Sequence, residues 1–143
     1  MKLHGVLMCF AAFAAGCFEQ PSPATARHAT PSQPMSLATL GQRAFMRCQA
    51  CHSIGSGDAH KVGPNLHGLT AREAGTAAGY QYSPELVTAD LNWDAGTLGA
   101  WISDPAMLVP GTTMVYANDL TGEEIVALVA YLQARTSSIN AGH

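Results

Sequence analysis

At 143 residues the chain has room for one domain, and its composition excludes a fibrous, collagen-like or wholly disordered protein. Only 12 % of its residues are charged, low for a free-standing soluble domain, which points to an apolar N-terminus and a small, ligand-filled interior. The formal net charge of −3 becomes −4 from Ser36 onward, where five basic residues face nine acids. Such a surface argues against nucleic-acid and anionic-membrane binding through this domain and favours a basic docking partner.

Lys2 and the apolar stretch from Leu3 to Gly16, broken once by His4, have the charged start and short hydrophobic region of a secretory signal. The stretch is too short to span a bilayer. Residues 1–16 are therefore expected to be a leader, and the protein to be exported to the periplasm. Ala14-Ala15-Gly16-Cys17 places small residues directly before a cysteine and resembles a bacterial lipoprotein processing site, with Ala14 where leucine is usual. Cys17 would then carry a lipid that tethers the protein to a membrane. Ordinary cleavage after Ala14 or after Ala26 is the alternative, and it exports the protein as well. Residues 17–35, rich in Pro, Ser, Thr and Ala without an apolar period, read as a flexible linker reaching on the order of 25 Å. The folded domain is expected over 36–143.

Leu37, Leu40, Ala44, Phe45 and Cys48 recur at helical spacing and predict a first helix that ends at the next motif. That motif, Cys48-Gln49-Ala50-Cys51-His52, contains the only cysteines of the expected domain over 36–143. C-x-x-C-H is the haem-attachment signature. In a helical turn, residues three apart project to one side, so both thiols can reach the two vinyl groups of one porphyrin edge while the next imidazole ligates iron. The pattern arises by chance in about one in a thousand chains of this length. A thioredoxin-like pair would need a surrounding βαβ pattern, which is missing. Zinc would need about four ligands, and only scattered His60 and His67 are at hand. One haem c, covalent through Cys48 and Cys51 with its iron on His52, is the expectation.

Beyond the motif, Gly55, Gly57 and Gly63-Pro64 mark a loop with a rigid turn, and Ser83-Pro84 starts a short helix. Asp94 can cap a helix through Leu98, Trp101 and Ile102 that stops before Pro105. Thr121-Gly122-Glu123-Glu124 is a capping box ahead of an apolar stripe of Ile125, Val126, Leu128, Val129 and Leu132. No run alternates convincingly as a strand, so the class is all-α. The helices are few and the loops long, an arrangement a central haem would stabilise by supplying the core.

With these residues in view, the chain resembles the class I c-type cytochromes, the mitochondrial and bacterial cytochrome c family. The likeness runs from Gly41 to Leu132 without a gap in spacing after Cys48. It is carried by Gly41 and Phe45, the haem motif, Gly63-Pro64-Asn65-Leu66-His67-Gly68, Tyr80-Gln81-Tyr82-Ser83, Trp93, Pro110-Gly111-Thr112-Thr113-Met114 and Tyr131-Leu132. It implies the class I cytochrome c fold, with N- and C-terminal helices crossing and short helices and loops wrapped around one covalent haem. The activity implied is single-electron transfer in an extracytoplasmic chain, with no catalytic residues.

Met114 is the sixth ligand of choice among the methionines, because it follows the Pro110-Gly111 turn that lays a loop flat against a ring face. A thioether favours reduced iron. The resemblance further implies that the Pro64 carbonyl accepts from the His52 imidazole, and that Arg72, Tyr82, Trp93 and Thr112 supply donors to the haem propionates. Two positions depart from the mitochondrial pattern. Leu86 stands where an asparagine is found, and Trp101 stands where tyrosine often lies beside the methionine sulfur; an indole can donate but cannot accept. Mitochondrial members dock through a ring of lysines, yet Lys61 is the sole lysine after the leader and Thr113 precedes the methionine. The expected partners are redox proteins such as a quinol-oxidising complex, a terminal oxidase or a dehydrogenase, met by a monomer. A haem with a weak or absent sixth ligand, acting as a peroxidase or gas sensor, is the minor alternative.

Overall fold

The first ordered element begins where a hydroxyl can satisfy free helix amides: Ser36 Oγ accepts from the Thr39 N–H and opens helix α1, Leu37–Phe45. The computed structural model describes residues 35–117 and 119–137, so the expected leader over 1–16, Cys17 and all of the expected linker except Met35 lie outside the described residues. Helix α1 buries Gly41, Ala44 and Phe45 against helix α5, Gly122–Thr136. Gly41 is required there by distance, since a Cβ at that position would lie 2.2 Å from the Ala127 carbonyl oxygen. Phe45 then packs on Tyr131 with ring centroids 5.4 Å apart.

Helix α5 starts with the anticipated capping box between Thr121 and Glu124. Its buried face, Ala127, Leu128, Val129, Leu132 and Thr136, departs from the predicted stripe, with Ile125 only partly buried. Ala127 rather than Val126 turns inward, where the α5 backbone approaches Gly41, and Val126 is left 62 % exposed. The first helix also ends earlier than its spacing predicts. After Phe45 the amides of Met46, Arg47 and Cys48 each bond three residues back, so the chain tightens into consecutive turns that carry Cys48 and Cys51.

The remaining helices are short. Helix α2, Pro84–Val87, is capped by Ser83, and helix α3, Ala95–Ser103, by the Asp94 carboxylate on the Thr97 N–H. The chain does stop α3 before Pro105, but Asp104 accepts from the Met107 N–H and Pro105 opens helix α4, Pro105–Leu108, an element the sequence reading lacks. A single turn of 3₁₀ helix, Leu69–Ala71, follows Gly68, whose φ of 68° is in the left-handed region. Among the described residues the only β pairing is an isolated bridge between Glu73 and Asn92. The fold is all-α, and no helix among the described residues is long and apolar enough to cross a membrane. Apolar side chains from α3 and α5, among them Leu98, Trp101, Ile102 and Leu132, surround a cavity instead of closing on one another.

Candidate functional site

The cavity encloses about 1020 Å³ of empty space, part of it open to solvent. Cys48, Cys51, His52 and Met114 all line it, so residues 62 positions apart in the chain meet around one space. Neither Cys48 nor Cys51 is in a disulfide; Cys51 is exposed and Cys48 half-buried. Burial, then the neighbouring Cys51, pushes the Cys48 thiol up to about 11, with Arg47 opposing.

His52 is placed by the turn that precedes it. Its N–H and that of Cys51 both bond to the Cys48 carbonyl, at 2.9 and 3.0 Å. The ring lies 2.8 Å from the Pro64 carbonyl through Nδ1. A carbonyl only accepts, so Nδ1 carries the proton and the neutral ring presents an unprotonated Nε2. Burial pulls the imidazole below its ordinary value; the Pro64 carbonyl works against that and Lys61 reinforces it. Gly63 makes room for the ring, for a Cβ there would sit 2.3 Å from His52 Cε1.

The loop behind Pro64 is braced by residues the sequence reading quoted but gave no role. Asn65, 8 % exposed, donates through its side-chain amide to the Gly55 and Asp58 carbonyls and accepts from the His67 N–H. Its backbone N–H donates to His60 Nδ1 at 2.9 Å, and the other nitrogen of His60, Nε2, donates to the Ala78 carbonyl. The Pro64–Asn65 peptide is therefore gripped on both sides, by His52 at its carbonyl and by His60 at its N–H. Tyr80 adds a bond from its hydroxyl to the Val62 carbonyl. No local pattern marks these contacts; a buried asparagine inside a Gly-rich loop is the nearest signal.

On the other side, Gly111 takes a φ of 93° and begins the descent to Met114. The Met114 N–H donates to Thr112 Oγ1 at 3.3 Å, and the Trp101 indole N–H donates to Met114 Sδ at 3.0 Å. Trp101 comes from the buried face of α3 and meets Trp93 edge-on at 5.5 Å.

Arg72, Tyr82, Trp93 and Thr112 also line the cavity, as does Leu86. Arg72 donates to the Tyr82 hydroxyl at 3.3 Å and to the Asn65 carbonyl at 3.1 Å, and among the described residues no carboxylate pairs with it. Tyr82, having accepted from Arg72, keeps its own proton for another acceptor. Among the described residues no protein group accepts from the Trp93 indole N–H. The structure thus brings together every residue the sequence reading put at the site, save Cys17, which is outside the described residues.

Comparison with known proteins gives one consistent answer. The family model described as "Cytochrome c" matches residues 38–136. A cytochrome c from Nigella damascena is 37 % identical over 105 residues, spanning 73 % of this chain and 95 % of that protein. A cytochrome c2 from Rhodoplanes tepidamans is 42 % identical over 92 residues, 64 % of this chain and 86 % of its own length. Among solved structures, cytochrome cH from Methylobacterium extorquens superposes with a TM-score of 0.63 at 37 % identity, covering 68 % of this chain and 97 % of that one.

Proposed function

The chain belongs to the cytochrome c family and is an electron carrier rather than an enzyme, and on that premise we propose that it moves single electrons with one haem c, thioether-bonded through Cys48 and Cys51 and ligated by His52 and Met114. The observation that carries this reading is the pairing of an unprotonated imidazole nitrogen, set by the Pro64 carbonyl, with a thioether sulfur held by Trp101 around the same cavity. Haem supplies a one-electron ferric/ferrous couple when bound.

The donor set suits that group. A part-buried guanidinium that has no carboxylate partner among the described residues, a tyrosine proton and an indole N–H all border the cavity. Buried carboxylates are costly unless such donors meet them, so Arg72, Tyr82 and Trp93 are assigned to the propionates. Thr112 bonds first to the Met114 N–H, which makes it a loop brace with a hydroxyl proton to spare. His52 and Met114 would hold the iron between them and leave exogenous ligands no open site, and a fixed ligand set would favour electron transfer over catalysis.

The same reading makes residues 1–16 a leader, 17–35 a linker and 36–143 the redox domain, exported to the periplasm and tethered through a lipid on Cys17. Partners are redox proteins such as a quinol-oxidising complex, a terminal oxidase or a dehydrogenase, met by a monomer. Expression with cytochrome maturation machinery tests the centre: colour must survive acid-acetone extraction, and the ferric protein must show the weak near-infrared sulfur-to-iron band. A colourless product would end the proposal. Cys17→Ser should release the protein from membranes; continued attachment would remove the lipid anchor.

A further inference from the structure

Charge in the domain is divided along the chain. Between Arg72 and Arg135 there is no lysine, arginine or histidine, yet eight of the domain's nine acids fall there, from Glu73 to Glu124. Among the described residues, only Asp119 of those eight is paired with a cation, Arg47. Helices α2 and α4 of this stretch meet at one turn. The Glu85 side chain of α2 lies over Pro110-Gly111, where a Cβ on Gly111 would be 2.8 Å from Glu85 Cγ. Helix α4 runs into the same turn: the Val109 N–H donates to the Pro105 carbonyl at 2.9 Å and the Thr112 N–H to the Val109 carbonyl at 3.1 Å. At this junction Met107 of α4 is 79 % exposed and Val87 of α2 56 % exposed, and Pro110 and Gly111 are exposed as well. The Glu85 carboxylate has no partner among the described residues, and Asp104 accepts only from the Met107 N–H.

We propose that this junction of α2, α4 and the Pro110-Gly111 turn is a docking surface for a lysine- or arginine-bearing face of a redox partner, with Met107 and Val87 making the apolar contact and Glu85 and Asp104 the ionic one. The inference rests on the electron-carrier reading above and names the chemistry of the partner. A single exposed apolar side chain needs no explanation, but two flanking one turn lose their contact with water only when something covers them. Methionine suits a transient contact because its unbranched chain adapts to the opposing surface. Charge identifies what covers it. From α2 through α4 the chain holds Glu85, Asp90, Asp94 and Asp104 and no cation, so the field there attracts a cationic surface and orients it before contact. Gly111 is three residues from Met114, so a partner seated on the turn abuts the loop that carries the proposed sulfur ligand.

The test is NMR titration of the ferrous holoprotein with two probes of equal charge, decalysine and a helical peptide of alternating lysine and leucine blocks. Amide shifts should move chiefly at Glu85, Val87, Met107 and Gly111, and the effect should fade as salt rises to about 0.15 M. Glu85→Gln/Asp104→Asn should weaken decalysine binding about tenfold, while Glu73→Gln/Glu123→Gln, which removes the same charge elsewhere, should weaken it less than about twofold. The leucine-bearing probe should bind about tenfold tighter than decalysine and lose that advantage in Met107→Ser/Val87→Ser. Should Asp104→Asn disturb α4, Glu85→Gln alone decides, with an expected loss of about threefold. A colourless, iron-free product would overturn the electron-carrier reading and this inference with it. In a coloured holoprotein, shifts centred on α5 or spread evenly, equal losses in the two charge variants, or no advantage for the leucine-bearing probe would overturn the inference alone. So would a dimer in sedimentation at low salt that Glu85→Gln/Asp104→Asn breaks, because a second copy would then own the surface.

Discussion

His52 and Met114 face one cavity, but the chain holds them by different means. Around His52, bonds are many and redundant. Gly63 and Leu66 donate to the Cys51 and Ser53 carbonyls at 2.7 and 2.9 Å, Asn65 clamps the Gly55 to Asp58 turn, and His60 and Tyr80 tie the loop to the next segment. Around Met114 the loop has one bond to Thr112 and one side-chain donor. Among the described residues, Val115 to Ala117 make no backbone hydrogen bond. A ligand fixed by many bonds does not respond to small changes, while a ligand fixed by two does. On the proposed ligation, the imidazole side would define the centre, and the sulfur side would be where its access to other ligands is adjusted.

The largest effect should come from breaking the well-braced side. Asn65→Ala strips donors from two carbonyls and an acceptor from the His67 N–H, and is expected to cost about 3 kcal/mol in denaturant unfolding of the holoprotein. A loss below about 1 kcal/mol would mean that other bonds carry the loop, at the usual net value of one hydrogen bond. Met114→Ala attacks the opposite side. Without its own ligand the centre no longer competes with carbon monoxide or azide. If the open form is about 1 % populated in the wild type, affinity should rise about a hundredfold. Unfolding stability should change far less than in Asn65→Ala, and the near-infrared band should vanish. A band that persists would place the sixth ligand elsewhere.

The same contrast explains what could be read in advance. Cys48, Cys51 and His52 fall within five consecutive positions whose expected chemistry follows from spacing, and the caps at Ser83, Asp94 and Thr121 are local devices; all were legible. Met114 needed the Pro110-Gly111 turn and the family resemblance together. Asn65 and His60 were not legible as braces, because their partners at Gly55, Asp58 and Ala78 are brought close only by the folded loop. Val126 misled for a related reason: its hydrophobicity fits the stripe, but in the folded chain Ala127 turns inward and Val126 is left exposed. Helix α4 was hidden because Pro105 reads as a stop for α3 and only the Asp104 side chain shows that it is also a start.

Smaller effects sharpen the picture on the sulfur side. Arg47, just before the haem motif, pairs with Asp119, five residues beyond Met114, and so links the two halves of the comparison across the surface. The side chains are 42 % and 71 % exposed, so solvent and salt screen the pair. Arg47→Gln should cost less than about 1 kcal/mol, and the difference from wild type should disappear in high salt. A larger, salt-independent loss would show that the pair holds the Met114 loop closed.

Acid should act on the sulfur side through the caps. The Thr97 N–H and hydroxyl hold the Asp94 carboxyl below its ordinary value, and the Thr121 N–H and hydroxyl do the same for Glu124. Both groups are ionised in the folded and unfolded chain at neutral pH, where their contribution is complete. As pH falls through the ordinary carboxylate range the unfolded chain takes up protons first, so stability declines, and the decline ends only below the depressed folded values. Asp94 caps α3, which delivers Trp101 to Met114, whereas His52 stands on no capped helix. The near-infrared band should therefore weaken in step with the acid-side fall in melting temperature. Asp94→Asn, which keeps an accepting oxygen but no titration, should flatten both curves slightly. Identical acid profiles for wild type and variant would remove the cap from the account and leave Trp101 held by its packing against Trp93 alone.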